Sequence, residues 1–366
     1  MKSEVIQEKL SAAVRKAERF AGKHLSLPIL SHLLLVAERG ALTVRATNLD
    51  MGIECVVPAK VDREGVIAVP AAVFSSFIGN LRNAKSVTLE LHGTSLRAFS
   101  GGARAEIHTA SGDDFPTVPK AEGTALSFDP HLLVKGFRSV LYAGALGNLK
   151  PELSSVYVYN DGENLVFAAT DSFRLAEKKV SLPESSQALQ PILVPVKNAA
   201  ELVRLLEEET GDVSLSVGKG QMSVETKGLS VTSRLVDGAF PDYRQIIPKE
   251  FSTEAVVLRE DVAGALKTAT LFSDRFNQLR LKIDPKKKVF ELVARNGDIG
   301  ESAEEIPAAL TGGALESNFN HRYVRDCLAA IGGDSIAFRF SGENRPLLIS
   351  GVGDTTFRYL VMPMNR

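Results

Sequence analysis

Apolar and polar positions along this chain follow two alternating rhythms. Six stretches space apolar residues three and four positions apart, which marks one face of a helix. They read VIQEKLSAAVRKAERFA from Val5, AAVFSSFIGNLRN from Ala71, DPHLLVKGFRSVLYAG from Asp129, VKNAAELVRLLEEE from Val196, REDVAGALKTATLFS from Arg259 and HRYVRDCLAAIG from His321. The first predicts a helix over Glu4–Gly22. Between them lie runs that alternate every second residue, as half-buried strands do. SVTLELHGTSLRAFS, DVSLSVGKGQMSVETKGLSVTSRLV and SIAFRFSGENRPLLISGV are the longest. Each pair of helices with its strands forms an α+β plan with antiparallel sheets.

The plan recurs. A strand closing on Ala-Thr-Asn or its like ends at Thr47 (LTVRATN), Thr170 (LVFAATD) and Arg295 (FELVARN), steps of 123 and 125 residues. Val-Pro opens a helical stretch at Pro70 and again at Pro195, 125 residues on. Phe-Pro recurs at Pro116 and Pro241, also 125 apart, and Pro363 in VMPMNR follows after 122. Three markers that keep one period indicate three related domains. They fall near 1–120, 128–252 and 253–366, joined by short polar segments, and 366 residues exceed what one ordinary core organises.

Charge refines this picture. Along the first helix, Lys9, Lys16, Arg19 and Lys23 fall on one side and Leu10, Ala13, Val14, Ala17 and Ala21 on the other. Arg82 and Lys85 stand without an acid at the end of the second. Lys135 and Arg138 outnumber Asp129 in the third, and Arg322 and Arg325 outnumber Asp326 in the sixth. The fourth and fifth break the trend, with Lys197 and Arg204 outnumbered by glutamates. Any single face taken alone reads better as solvated surface. Together they give a modest positive excess on helices of a chain whose net charge is −1. One basic side tracking backbone phosphates loosely accounts for that pattern.

The chemistry that is missing narrows the function. Six histidines show no metal-ligand spacing, and Cys55 and Cys327 form neither a zinc nor a redox motif. Two distant cysteines suit a reducing cytoplasm. GDVSLSVGKGQ has the wrong glycine spacing for a phosphate loop, and Gly220 stands where Ser or Thr would follow Lys219, so it reads as a hairpin turn. Asp171 and Arg174 in ATDSFRLA have no histidine or second carboxylate beside them. The expectation is a protein without catalysis, cofactor, metal or membrane span. Its last residues, YLVMPMNR, are apolar to Met364. They read either as a last core strand or as an edge that receives a partner.

LSLPILSHLLL, ATNLDMGIE, FPTVP, ATDSFRLA, VDGAFPDYRQIIP, FNQLRLKI, ENRPLLISG and YLVMPMNR, in that order across the whole chain, resemble the β subunit of bacterial DNA polymerase III, the sliding clamp. The resemblance implies three repeated domains of the DNA-clamp fold, closing as a head-to-tail dimer into a ring around double-stranded DNA. The ring would act as a processivity factor. It would tether the polymerase III α subunit, the clamp loader, other polymerases and mismatch-repair or ligase proteins through short linear motifs. By match to the family, His24, Asn148 and Lys150 would join the basic residues above at the DNA. Arg97 and Arg104 would meet Glu301, Glu304 and Glu305 of the neighbour, with Leu271 and Phe272 alongside.

The resemblance also places an apolar peptide pocket at Leu153, Thr170, Leu175, Pro241, Ile246, Pro346, Leu360, Val361, Met362, Pro363 and Met364, with Arg174 on its rim. The family often carries Gly-His where this chain has Ser172-Phe173, and a second arginine where Gln245 stands. Those departures point to an alternative, a clamp paralogue specialised for repair or for a mobile element, with an altered partner motif.

Overall fold

The structure, a computed structural model, describes residues 1–22, 27–81, 84–123, 125–147, 149–182 and 189–364. The described residues include the six helices the spacing predicts: α1 Gln7–Glu18, α2 Ala71–Asn80, α3 Pro130–Val140, α4 Val196–Leu206, α5 Arg259–Leu271 and α6 His321–Asp326. Some ends differ from expectation, and α1 stops at Glu18 rather than Gly22. Lys2–Ile6 is a strand, its Ser3 and Val5 buried and its Glu4 and Ile6 exposed, because it pairs on both sides with strands Met51–Arg63 and Ser86–His92. A five-residue alternation next to an amphipathic helix reads as more helix unless its pairing partners are known. At the other end α6 stops after six residues, and Cys327 to Ala330 continue as turns.

Backbone contacts divide the chain into two compact units, Met1–Pro130 with Glu207–Leu235, and His131–Leu206 with Val236–Arg366. In the first unit one sheet runs in the order Ala103–His108, Ser95–Ser100, Ser86–His92, Lys2–Ile6, Met51–Arg63, Leu229–Arg234, Gln221–Thr226, Val213–Gly218, Ala125–Phe128. Strands Ala41–Thr47, His32–Glu38 and Gly65–Pro70 branch from it. Strand Leu229–Arg234, from the second repeat, pairs with Met51–Arg63 of the first, so pairing within this unit crosses the sequence period. Helix α1 buries Leu10, Ala13, Val14 and Ala17, the stripe its spacing defines. The expected hairpin at Gly218 is present, with Gly218 opposite Gln221 and Gly220 at φ 76°, where a side chain would be strained.

The second unit holds a nine-stranded sheet in the order Ile192–Pro195, Ser155–Asp161, Asn164–Thr170, Arg174–Ser181, Phe357–Val361, Leu347–Gly351, Ser335–Phe340, Thr253–Leu258, Ala308–Gly312. A four-stranded sheet, Gly300–Glu305, Val289–Asn296, Gln278–Asp284, Leu315–Asn320, completes it. All its pairs are antiparallel, which is what short connections between successive strands permit.

The Ala-Thr-Asn marker now has a physical meaning. Thr47 Oγ donates to the Met51 carbonyl at 2.8 Å, and Asn48 Oδ1 accepts from the amides of Asp50 and Met51 at 3.0 and 2.8 Å. In the second copy Thr170 Oγ donates to the Arg174 carbonyl at 2.6 Å, and Asp171 Oδ1 accepts from Phe173 and Arg174 at 2.9 and 3.0 Å. The third copy keeps the acceptor alone, Asn296 Oδ1 to the Asp298 amide at 3.0 Å. The motif is a hairpin turn closed by its own side chains.

Candidate partner-docking site

Four segments of the second unit converge around the chain's end. Strand Phe357–Val361 pairs on one side with Arg174–Ser181, setting Leu360 opposite Leu175, and on the other with Leu347–Gly351. The ladder continues past it. The Met362 amide donates to the Phe173 carbonyl at 2.8 Å, and the Met364 amide to the Asn318 carbonyl at 2.8 Å. The apolar tail is therefore a last core strand through Val361 and a strap beyond it, with Met362 exposed and Pro363 and Met364 half-buried.

Around Leu360, at the end of that strand, Leu175, Leu348, Ala168 and Tyr243 complete a buried cluster, with Tyr157, Phe240 and Ile247 against it. Each fully buried leucine of such a cluster contributes roughly 1.5–3 kcal/mol relative to exposure. Tyr243 opens the one-turn 3-10 helix Tyr243–Ile246. Its hydroxyl donates to buried Glu177 at 2.6 Å and lies 2.8 Å from the Tyr159 hydroxyl. Burial and then the Glu177 charge raise its pKa far above the ordinary tyrosine value. That anchor holds the helix so that Ile246 stays 49% exposed, next to Gln245, which donates to Asp242 at 2.6 Å.

The turn 171–173 forms another wall. Ser172 adopts φ 76°, which turns the chain sharply enough to leave Phe173 62% exposed. Arg174, expected at the rim, is instead largely withdrawn, its side chain 10% exposed. Its guanidinium bonds Asp171 at 2.9 Å and Asp326 at 2.7 Å, and lies over the Tyr323 ring at 4.4 Å. It braces the turn against α6. Phe173, Ile246 and Met362, the last 37% exposed, are thus large apolar side chains facing solvent above or beside a packed floor. Of the remaining expected pocket residues, Thr170 closes the turn, Val361 is buried opposite Arg174, and Leu153 is buried before strand Ser155–Asp161. Pro346, Pro363 and Met364 are half-buried, and Pro241 is exposed two residues before Tyr243.

Sequence reasoning did not identify Tyr243, Glu177, Asp326 or Tyr323 as parts of this site. Tyr243 lies inside the quoted stretch DGAFPDYRQIIP, and its aromatic neighbour Phe240 was the available signal. Glu177 and Lys178, both buried on a strand, carry no such signal, since adjacent charges normally mark an exposed edge.

The other expected residues lie elsewhere. Lys9 of α1, Arg19 just past its end, Lys135 and Arg138 of α3, Lys150 and Lys197 are exposed. Lys16 is not, because it pairs with Glu209 at 2.6 Å and Glu208 at 3.7 Å within the first unit. Lys23, His24, Arg82 and Asn148 lie outside the described residues. Arg97 bonds Glu106 at 3.4 Å, while Arg104 is exposed on Ala103–His108, an edge strand of the first unit's sheet. Glu301, Glu304 and Glu305 lie on Gly300–Glu305, an edge strand of the second unit, with Glu301 3.8 Å from Arg295. Leu271 is 69% exposed, and the Phe272 ring lies beside Gly300. Among the described residues no group of three or more metal-ligating side chains is assembled, and no helix is long and apolar enough to cross a membrane.

The α+β architecture, with its antiparallel sheets and six described helices, is that of the DNA polymerase sliding clamps. Family models for the N-terminal, central and C-terminal domains of the DNA polymerase III beta subunit match residues 1–119, 129–242 and 244–365. The beta sliding clamp of Pseudomonas aeruginosa is 30% identical over 342 residues, covering 93% of each chain. That of Synechococcus elongatus is 29% identical over 365 residues, covering 98% of this chain and 97% of its own. The crystal structure of the Bacillus subtilis DNA polymerase sliding clamp matches with a TM-score of 0.95 at 26% identity, over 100% of this chain and 99% of that one. The Pseudomonas aeruginosa clamp bound to griselimycin matches at 0.94 and 28%, over the whole of both chains. The chain belongs to the bacterial DNA polymerase III beta subunit family, the beta sliding clamps, which are processivity factors and not enzymes.

Proposed function

We propose that this chain is a cytoplasmic processivity clamp whose two copies close head to tail around duplex DNA. Its three domains would span 1–120, 128–252 and 253–366. Exposed basic residues on the helices or just past them, Lys9, Arg19, Lys135 and Arg138 among them, together with Lys150 and Lys197, would slide along phosphates without reading sequence. Edge strand Ala103–His108 would pair with Gly300–Glu305 of the partner copy, bringing Arg104 toward Glu301, Glu304 and Glu305. Such a contact removes two open sheet edges at once.

The docking surface around Met362 would receive the short motifs of the polymerase III α subunit, the clamp loader, other polymerases and repair proteins or ligase. The observation that carries this is the Met362–Phe173 backbone bond, which extends the core ladder while leaving both side chains on the surface. Pliable methionines beside an aromatic ring suit one site serving several related peptides. Phe173, exposed where the family often has histidine, favours the second reading of an altered motif preference.

The test is fluorescence anisotropy with a labelled Gln-Leu-x-Leu-Phe peptide, on the full chain and on a variant ending at Val361. This cut keeps Leu360 and Val361, which the core needs, and removes only the strap. Binding by the full chain and at least tenfold weaker binding by the folded truncation is expected. Equal binding by both would remove the strap from the site. A folded full chain that ignores this peptide but binds after Phe173→His would establish the altered preference.

A further inference from the structure

A groove of about 620 Å³ lies in the second unit, next to the docking surface. Leu348 and Ile247 line it and also belong to the apolar cluster under that surface, so the two share a wall. Its charges are unevenly committed. Asp161 bonds Lys179 at 2.7 Å, buried Glu177 takes Tyr243 and lies 4.0 Å from Arg358, and Arg339 bonds Glu254 at 2.7 Å. The remaining carboxylate, Asp354, is held by Thr356 at 2.6 Å and lies 3.7 Å from Lys178. Two cations are left over. Arg244 and Lys249 are exposed, line the groove, and form no ion pair among the described residues. Arg244 is nevertheless held in place, its guanidinium 5.0 Å from the centre of the Tyr159 ring. Phe251 adds an apolar surface, 36% exposed.

We propose that this groove receives an acidic segment flanking the apolar docking motif of a partner protein. Its carboxylates would meet Arg244 and Lys249, and an apolar side chain within it would rest on Ile247 and Phe251. The inference rests on the docking reading above and adds to it a chemical preference outside the motif. Continuity through Leu348 and Ile247 makes the groove reachable by residues adjacent to a docked motif. Charge complementarity selects the acidic class. Rim ion pairs are weak, so the expected gain is about fivefold at low salt.

The experiment compares labelled peptides carrying Gln-Leu-x-Leu-Phe alone, with an acidic flank, and with a Gly-Ser flank of equal length. Flanks are placed on either side, at about 0.05 and 0.3 M salt, where screening differs strongly. The proteins are the parent, the double variant Arg244→Glu/Lys249→Glu, and a charge-matched control, Lys286→Glu/Lys287→Glu, at an exposed turn. The acidic flank on at least one side should tighten binding to the parent and the control at low salt. The double variant should lose that gain while binding the bare motif as before. Equal affinity for acidic and neutral flanks, or equal loss of the gain in the control, overturns the proposal and leaves the docking reading intact. If no peptide binds the parent, the same comparison is made on Phe173→His: binding there carries the flank test onto that variant, and failure there too removes both readings.

Discussion

Ser172 is a residue whose backbone carries the cost of the site's shape. With φ 76° it occupies the left-handed region, as Leu49 does at φ 74° in the first copy of the same turn. A β-branched side chain there is strained against its own backbone, whereas glycine is not. Ser172→Val should therefore lower unfolding stability by about 1–2 kcal/mol, and Ser172→Gly should stay within about 0.5 kcal/mol of the parent, because relieved strain offsets the looser unfolded chain. Urea denaturation would check both. The turn's sequence was legible as a repeat marker. Its strain was not, since serine and leucine announce nothing about φ.

His321 makes a second argument at this scale. It is buried at the start of α6, with Nε2 2.9 Å from Ser273 Oγ. Burial first, then Arg325 and Arg322, lower its pKa from the ordinary 6.5, against weaker opposition from Asp274 and Asp326. The folded chain thus resists a proton that the unfolded chain accepts below about pH 6.5. Its contribution is complete above that pH and declines as pH falls through the window beneath it. His321→Asn should flatten the stability curve below about pH 6.5 relative to the parent, read from urea midpoints.

Elements explain why two copies of one hairpin differ in use. Leu175 pairs with Thr170 and with Leu360, and the corresponding Gly52 pairs with Thr47 and with Thr232. Where the second copy has a leucine floor, the first has bare backbone, and the chain's own Val118 occupies the space. A Cβ on Gly52 would meet Val118 Cγ1 at 2.3 Å. Gly52→Ala should therefore displace the segment around Val118 and cost about 1–3 kcal/mol, measured by urea denaturation. Peptide affinity should stay unchanged, because the docking surface uses none of these residues. Helices and hairpins were legible because their periodicity is local. Pairing of strand Leu229–Arg234 with Met51–Arg63 was not, since neither strand's alternation names its neighbour. The withdrawal of Arg174 depended likewise on Asp326 from a distant helix.

At the scale of the whole molecule, the puzzle is a chain of net charge −1 proposed to work on DNA. Some basic charge is neutralised internally, as at Lys16, which leaves less of it for phosphates. Electrostatic binding of that kind weakens steeply as salt rises, because each phosphate contact releases a counterion. Encirclement obeys a different rule: a closed ring leaves only by opening or by reaching an end. The chain, loaded on nicked circular duplex by a bacterial clamp loader, should therefore stay bound through gel filtration at about 0.3 M salt. Cutting the circle should release it. A Leu271→Asp/Phe272→Asp variant, with two apolar side chains beside the proposed contact made charged, should load poorly or leave the intact circle early. Loss from intact and cut circles alike, with a salt slope of several contacts, would instead mean that phosphate attraction alone holds the chain and that no closed ring forms.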